Sequence, residues 1–440
     1  MSHIFSRAAV RLPRVVASEG VWITDEHGKR YLDACGGAVV VNVGHGVPEI
    51  RRAMSEQVER VSYVHGPEFT TEALESLGEK LAPLLPMEQP SIYPVSGGSE
   101  AVETAFKMAR AFHLANGQAG RHKIISRWGS YHGNTRATLD AGGRVPMRAP
   151  YLPWLNAGIH VPAVYEYRCP MSGHPRACGA AHAAELDRTI LEQGPDTVAA
   201  FIAEPIGGAT LCASVPPDDY WPAVAEVCRR HGVLLIADEV LTGFGRTGKW
   251  FGIEHWGVQP DLIASGKGCS SGYWPLGLTI ASGRVAGALC AGGFVHGFTY
   301  SHHAVGAAVG VAVVDRLVAG DLVAQSRDKG ERFKALLAEQ LSSLPHVGEV
   351  RGRGLLVGVE LVADRDTREP FPRSDRVTER VLSACKADGL LAYPGTGMVD
   401  GTDGDAILFG PPFVISDGEL EQVVDITAQV LGAIETLPSA

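Results

Sequence analysis

The sequence predicts an α/β fold, a mainly parallel sheet with helices on both of its faces. Short apolar runs at residues 198–203 and 233–237 have strand length and no polar alternation, the pattern of strands buried on both sides. Residues 101–115 and 220–231 repeat their apolar positions at helical spacing. Strands alternating with helices at this rhythm pair in parallel and offer ligand sites at their carboxyl ends. A chain of 440 residues, 45% of them hydrophobic, has material for one large domain and a smaller one.

Residues 21–32 place two short apolar runs around an Asp-Glu-His-Gly turn, which predicts a hairpin. Residues 33–46 are mostly small, and 49–61 have helical spacing. Next, Ser96, Gly97, Gly98 and Ser99 lead into the helix at 101–115. A small-residue turn at a helix start exposes free N–H groups and the positive end of the dipole, a ready phosphate site with Gly98 and Ser99 as contacts. A plain serine cap with a nearby glutamate would read the same way. Residues 123–126 form a strand followed by Tyr131-His132-Gly133, where the tyrosine can stack on a planar ligand or pack in the core. Residues 141–179 lack periodicity and predict a long loop, in which Arg144 and Arg148 are candidates for a substrate carboxylate or plain surface groups. The run 198–203 ends at Glu204-Pro205, and the run 233–237 at Asp238 and Glu239. Residues 304–318 then predict a helix into the C-terminal region, where 351–361 read as a turn and strand.

The chemistry gathers between Asp238 and Lys267. A carboxylate ending a buried strand needs a cation, and a lysine bedded among Ser265, Gly266, Gly268, Cys269 and Ser270 needs neutralisation or a bond. Either alone has an ordinary reading, a structural aspartate or a solvated loop lysine. One pyridoxal phosphate ring meets both needs: its aldehyde forms a Schiff base with Lys267, and its ring nitrogen pairs with Asp238. Val240, two residues beyond Asp238, shares its side of the strand and packs on the ring face opposite Tyr131. Gly243, Gly245 and Gly248 imitate a dinucleotide fingerprint, and 243–249 nearly spell a P-loop. Trp250 stands where the P-loop needs Ser or Thr, and Asp238 and Glu239 would repel a pyrophosphate.

The stretch 234–277 resembles the signature of the class III (omega-type) pyridoxal-phosphate aminotransferases: Asp-Glu-Val at a strand end, Thr-Gly-Phe-Gly-Arg-Thr-Gly, Pro-Asp-Leu-Ile and Gly-Lys-Gly. Tyr131-His132-Gly133, Glu204-Pro205, 296–301, 351–361 and 411–415 extend the likeness over most of the chain. The resemblance implies the fold type I of pyridoxal-phosphate transferases. Its large cofactor domain, with a mainly parallel seven-stranded type of sheet, would span 66–315, and a smaller α+β domain would come from both chain ends, 1–65 and 316–440. It implies cofactor roles for Tyr131 and His132, and a place for Glu204 beside the ring hydroxyl. It implies that Thr299 reaches the phosphate of a neighbouring subunit, hence a two-fold homodimer with shared sites. Ala38 and Val39 would face the substrate. Relatives acting on ornithine-like substrates carry an arginine three positions before Pro411-Pro412, where this chain has Leu408, and no Lys or Arg follows position 386. An α-carboxylate there would lack its fork.

The implied reaction moves an amino group from an amine or ω-amino acid to a keto acid such as pyruvate, in a ping-pong cycle through Lys267. Decarboxylases, aminomutases and epimerases share the scaffold, and a non-catalytic sensing or scaffold domain would require a lost lysine or an added DNA-binding module. A net charge of −10 argues against a nucleic-acid partner. The eight cysteines form no C-x-x-C pair, so no disulfide framework or metal is expected, Cys169, His174, Cys178 and His182 being an ordinary loop. The basic N-terminal segment lacks a signal-peptide core and reads as mature chain, and no uncharged apolar run reaches about 18 residues. A cytoplasmic setting with no membrane partner is the expectation.

Overall fold

The computed structural model describes residues 3–5, 12–156, 158–169, 171 and 178–438. Near the N-terminus β1 (Val15–Glu19), β2 (Trp22–Asp25) and β3 (Arg30–Asp33) form an antiparallel meander, so the hairpin at 21–32 is present. The central sheet is built from β4 (Ser91–Val95), β5 (Lys123–Arg127), β6 (Ile159–Val161), β7 (Val198–Ala203), β8 (Leu234–Glu239), β9 (Leu262–Ser265) and β10 (Gly277–Ala281). Its order is β4-β10-β9-β8-β7-β5-β6, and β10 runs against both of its neighbours. The other pairs are parallel. Beyond it come β11 (Val347–Arg353), β12 (Leu356–Leu361), β13 (Leu390–Leu391), β14 (Tyr393–Thr396) and β15 (Asp405–Phe409). Four of these form the antiparallel sheet β11-β12-β15-β14, whereas β13 pairs with β3.

The continuous apolar runs are explained by burial on both faces. Phe201, Leu235, Ala237 and Ile263 enter one core, while Ala200, Ile202, Leu234, Ile236 and Leu262 enter another with the helices Gly98–Ala115 and Gly283–Gly292. Strand period then puts Asp238 on the face of Leu234 and Ile236, and Glu239 on the opposite one. Glu239 is accordingly spent on structure, accepting from the backbone N–H of Gly252 and Ile253 at 2.8 Å each and from the Thr242 hydroxyl. Burial pushes its carboxyl up to about 7.

Residues 141–179 are not one long loop. Helices Arg136–Ala141 and Val145–Arg148, a 3-10 segment Ala149–Trp154 and the edge strand β6 occupy the described part. Three strand residues among prolines and glycines leave no readable period. Arg148 does not face a substrate: it is buried, and its Nη1 donates to the carbonyls of Leu139, Asp140 and Gly142, with Asp140 Oδ1 3.7 Å from Nη2. Of the cysteine–histidine group, His174 lies outside the described residues, and Cys169 Sγ is 3.8 Å from His182 Nε2. Among the described residues no three His, Cys, Asp or Glu side chains gather to hold a metal, and no helix is long and apolar enough to cross a membrane.

The glycines that imitate a nucleotide loop serve close packing instead. Gly245 and Gly248 have φ of +90° and +85°, and a Cβ on Gly248 would lie 2.7 Å from Arg327 Cβ. Between them Arg246 is wholly buried, stacks over Phe413, and donates to the carbonyls of Leu355 and Pro411 and to Asn42 Oδ1 at 2.7–2.9 Å. One guanidinium thereby ties the turn after β8 to both ends of the chain. Replacing Arg246 with methionine strands three buried acceptors, and should lower unfolding free energy by about 3–5 kcal/mol in a denaturant titration. A change below 1 kcal/mol would show that the chain ends dock without it.

Candidate active site

Four strand ends and one helix start meet at the carboxyl edge of the central sheet. From the end of β8, Asp238 is buried and its Oδ2 lies 2.7 Å from Nδ1 of His132, while Oδ1 accepts from the Val240 backbone N–H at 3.0 Å. With the carboxylate as acceptor, His132 donates from Nδ1, and its buried Nε2 has no partner. After β7 comes Glu204, buried, one oxygen accepting weakly from the Tyr131 N–H at 3.4 Å and the other without a hydrogen bond. Burial raises this carboxyl above the usual range; His132 and Arg127 oppose the rise and Asp238 adds to it. Tyr131 is 40% exposed, leaving part of its ring open to a ligand.

Lys267 follows β9 and opens a short 3-10 turn. Its φ of +46° lies in the left-handed region that a lysine seldom adopts, a strain of the sort that gathers at functional sites. Burial brings its amine down from the ordinary 10.5 to about 8, against the pull of Asp238 and Glu204. The helix Gly98–Ala115 points its N-terminus at the same place. Its cap residue is Gly97, with no side-chain cap, so the first N–H groups are not consumed by a serine; Glu100 reaches back to the N–H of Ser96 instead. Ser99 Oγ accepts from the Asn134 N–H at 3.0 Å and keeps its own proton to donate. A Cβ on Gly98 would sit 2.7 Å from Val240 Cγ1, one on Gly133 2.5 Å from Ser99 Oγ, and one on Gly266 3.4 Å from the Gly98 backbone. Gly98, Ser99, Tyr131, His132, Glu204, Asp238, Val240 and Lys267 are thus neighbours at one edge of the sheet.

The remaining residues lie further out. Val39 and Leu408 share an apolar cluster with Ile206 and Leu211, but they are 1% and 0% exposed, so they back the pocket wall rather than present surface to a substrate. Val39 holds φ of +58°, unusual for a β-branched residue, and Ala38 beside it is exposed. Thr299 is exposed on the stretch between the helices Gly283–Gly292 and Ala304–Ala319, where the Tyr63 hydroxyl donates to its carbonyl at 3.0 Å.

A desolvated amine on a half-buried lysine, a buried strand-end carboxylate and an open helix start suit a phosphorylated, cationic heteroaromatic ring, and residues 5–431 match the family model of the class-III aminotransferases. This chain belongs to that family. As a class-III aminotransferase it is an enzyme and uses pyridoxal phosphate. It is 38% identical to the uncharacterized aminotransferase YodT of Bacillus subtilis over 96% of each chain. It is 33% identical to the putrescine–pyruvate aminotransferase of Pseudomonas aeruginosa, over 95% of this chain and 90% of that one. A thermostable (S)-enantioselective omega-transaminase from Thermomicrobium roseum superposes with a TM-score of 0.91 at 37% identity, covering 98% and 96% of the two chains. The fold is therefore the type I fold of this family, with the sheet and chain-end pairing described above.

The residues of this aminotransferase fit the cofactor. Glu204 and His132 each carry a buried polar atom without a partner, and the glycines at 98, 133 and 266 clear a cradle that side chains would fill. The sequence reading missed Arg127 and Asn134. Arg127 Nη2 donates to the Glu204 carbonyl at 2.6 Å and lies 3.8 Å from its carboxylate, and Asn134 orients Ser99. The available signal was position: Arg127 ends β5 and Asn134 follows the Tyr-His-Gly motif.

Gly98→Ala should press on Val240 and weaken retention of pyridoxal phosphate by about 1–3 kcal/mol, read as loss of the cofactor's visible absorption on dialysis. Adding Val240→Ala to that variant should recover part of the loss. Equal retention in all three proteins would remove Gly98 from the cradle.

Proposed function

We propose that this aminotransferase takes its amino group from an amine, or from an amino acid whose acid group lies far from the reacting carbon. It passes that group to a keto acid such as pyruvate in a two-stage, ping-pong cycle. The observation that carries the donor class is Leu408: fully buried in an apolar cluster, in a C-terminal region with no cation after position 386. The wall that Leu408 backs therefore offers an α-carboxylate no cation from the C-terminal strands, and a carboxylate desolvated without a partner costs on the order of 3–5 kcal/mol. The putrescine–pyruvate relative supports the same pairing of a carboxylate-free donor with a keto acid.

The roles follow from the geometry. Bound in the cradle, pyridoxal phosphate supplies an electrophilic carbonyl and an electron-withdrawing ring. Gly98 and Ser99 hold its phosphate with free N–H groups and a hydroxyl. Asp238, fixed by His132 and by the Val240 N–H, would hold the proton of the ring nitrogen, and Tyr131 and Val240 would pack against the ring. Lys267, with an amine that is partly neutral near pH 8, holds and moves the proton of the reacting carbon at its Nζ. Glu204, held by Arg127, stands on the hydroxyl side. We assign Thr299 to the phosphate of a second copy; its exposure, with Tyr300 62% and Val295 94% exposed beside it, supports a two-fold homodimer. Eight cysteines without a disulfide support a cytoplasmic setting.

Adding simple amines, ω-amino acids, ornithine or alanine to the purified holoenzyme without keto acid should bleach its visible absorption with the first two groups. A strong preference for alanine, whose acid group sits on the reacting carbon, would sink the donor assignment. Lys267→Ala should lose about 1,000-fold or more of turnover while still taking up the cofactor without a bond.

Capture of pyridoxal phosphate by the apo-protein tests the Lys267 amine separately. The neutral amine is the attacking form, so with a value depressed to about 8 the rate should climb about tenfold per pH unit below 8 and level above it. A climb continuing toward 10 would mean that the amine is not desolvated.

A further inference from the structure

A keto acid carries its carboxylate next to the reacting carbon, so an enzyme without a cation at position 408 must receive that group elsewhere. Most of the buried and half-buried arginines are already engaged. Arg127 is held by Glu204, Arg148 by three carbonyls, and Arg246 by two carbonyls and Asn42. Arg168 and Arg351 are locked on Glu360, Arg351 also donating to the carbonyls of Leu211 and Cys212.

Arg144 differs. It has no acidic partner among the described residues; its buried Nε has no hydrogen bond, and Nη2 makes one long contact of 3.4 Å with Thr396 Oγ1. Its backbone is pinned beside the site, because the neighbouring Gly143 N–H donates to both the carbonyl and the hydroxyl of Ser130, immediately before Tyr131. On its other side stands β14. A Cβ on Gly395 would lie 3.4 Å from the Ala209 carbonyl, and one on Gly208 3.6 Å from Glu204 Oε1, so Thr396 borders the wall that continues to Glu204. On that wall the buried hydroxyl of Thr210 also has no partner.

We propose that Arg144 receives the carboxylate of the keto-acid acceptor, with the Thr210 hydroxyl on the same wall, in place of the arginine that Leu408 replaces. The assignment rests on the aminotransferase reading given above. A guanidinium held by one long contact, with its Nε unbonded, offers the bidentate fork that a carboxylate takes, and it stays partly exposed, so its charge is not stranded when an amine occupies the site instead. One site thereby accepts a charged acceptor and an uncharged donor in turn.

The two half-reactions separate this assignment from the reading beneath it. In the holoenzyme, Arg144→Leu should leave bleaching by a simple amine within about threefold of the parent. The return step with pyruvate should lose about 30-fold or more in kcat/KM, and Arg144→Lys should recover part of it. Propanal, an acceptor without a carboxylate, should react equally well in parent and variant. An unchanged pyruvate step in Arg144→Leu overturns the proposal while leaving the enzyme an aminotransferase, and so does an equal loss with amine, pyruvate and propanal. A parent protein that bleaches with no amine overturns the functional reading and this proposal together.

Discussion

The constraint on which the site depends is the cost of ending a buried strand in a carboxylate. Asp238 stands at 3% exposure with one oxygen on a backbone N–H and the other on a histidine. That arrangement fixes the direction of the carboxylate but leaves a negative charge in a poorly solvated place, where a cationic ring is worth far more than at the surface. The rest of the carboxyl edge is organised round it: His132 from the loop after β5, Val240 as the next turn of the chain, and Lys267 from the end of β9 as the proposed covalent tether. Parallel pairing of β5, β7, β8 and β9 is what delivers these groups to one edge without long loops.

Much of this was legible in the residues because each signal had a local physical cause. An apolar run that stops at Asp238, a lysine among small neighbours and a glycine pair before a helix all state their constraint within a few positions. What was not legible depended on distant partners. Asp238 and Glu239 look alike in sequence, and only strand parity against the two cores separates the one that meets the site from the one that caps Gly252 and Ile253. Arg144 and Arg148 were indistinguishable until the carbonyls of Leu139 and Gly142 were seen to close on the second. β6 escaped because an edge strand of three residues has no period to read. Leu408 was read from the sequence as a missing cation at the substrate, whereas its full burial follows from Val39 and Ile206 arriving from other parts of the chain.

The two chain ends serve the site from behind. β13 beside β3, the Gly410 N–H on the Ala34 carbonyl and the Phe413 N–H on that of Asn42 make the N- and C-terminal parts one body. Arg246 fastens that body to the turn after β8. The wall carrying Val39 is therefore indexed against the strand carrying Asp238 through Arg246, with the Asn42 side chain on the Phe244 carbonyl at 2.8 Å beside it. Such rigidity suits a reaction whose selectivity depends on holding one bond of the substrate at a fixed angle to the ring.

The polar atoms left without partners at Glu204 and His132, with the left-handed backbone at Lys267 and Val39, also bear on the life of the chain in a cell. Each is a small debit in the folded state, and binding of the cofactor adds stability against that debit. A ligand at about 100 times its dissociation constant adds about 2.7 kcal/mol to stability, a sizeable part of what a domain has in reserve. Ligand linkage implies that the folding stability of this enzyme should rise with cofactor concentration, so a shortage should cost intact copies as well as activity.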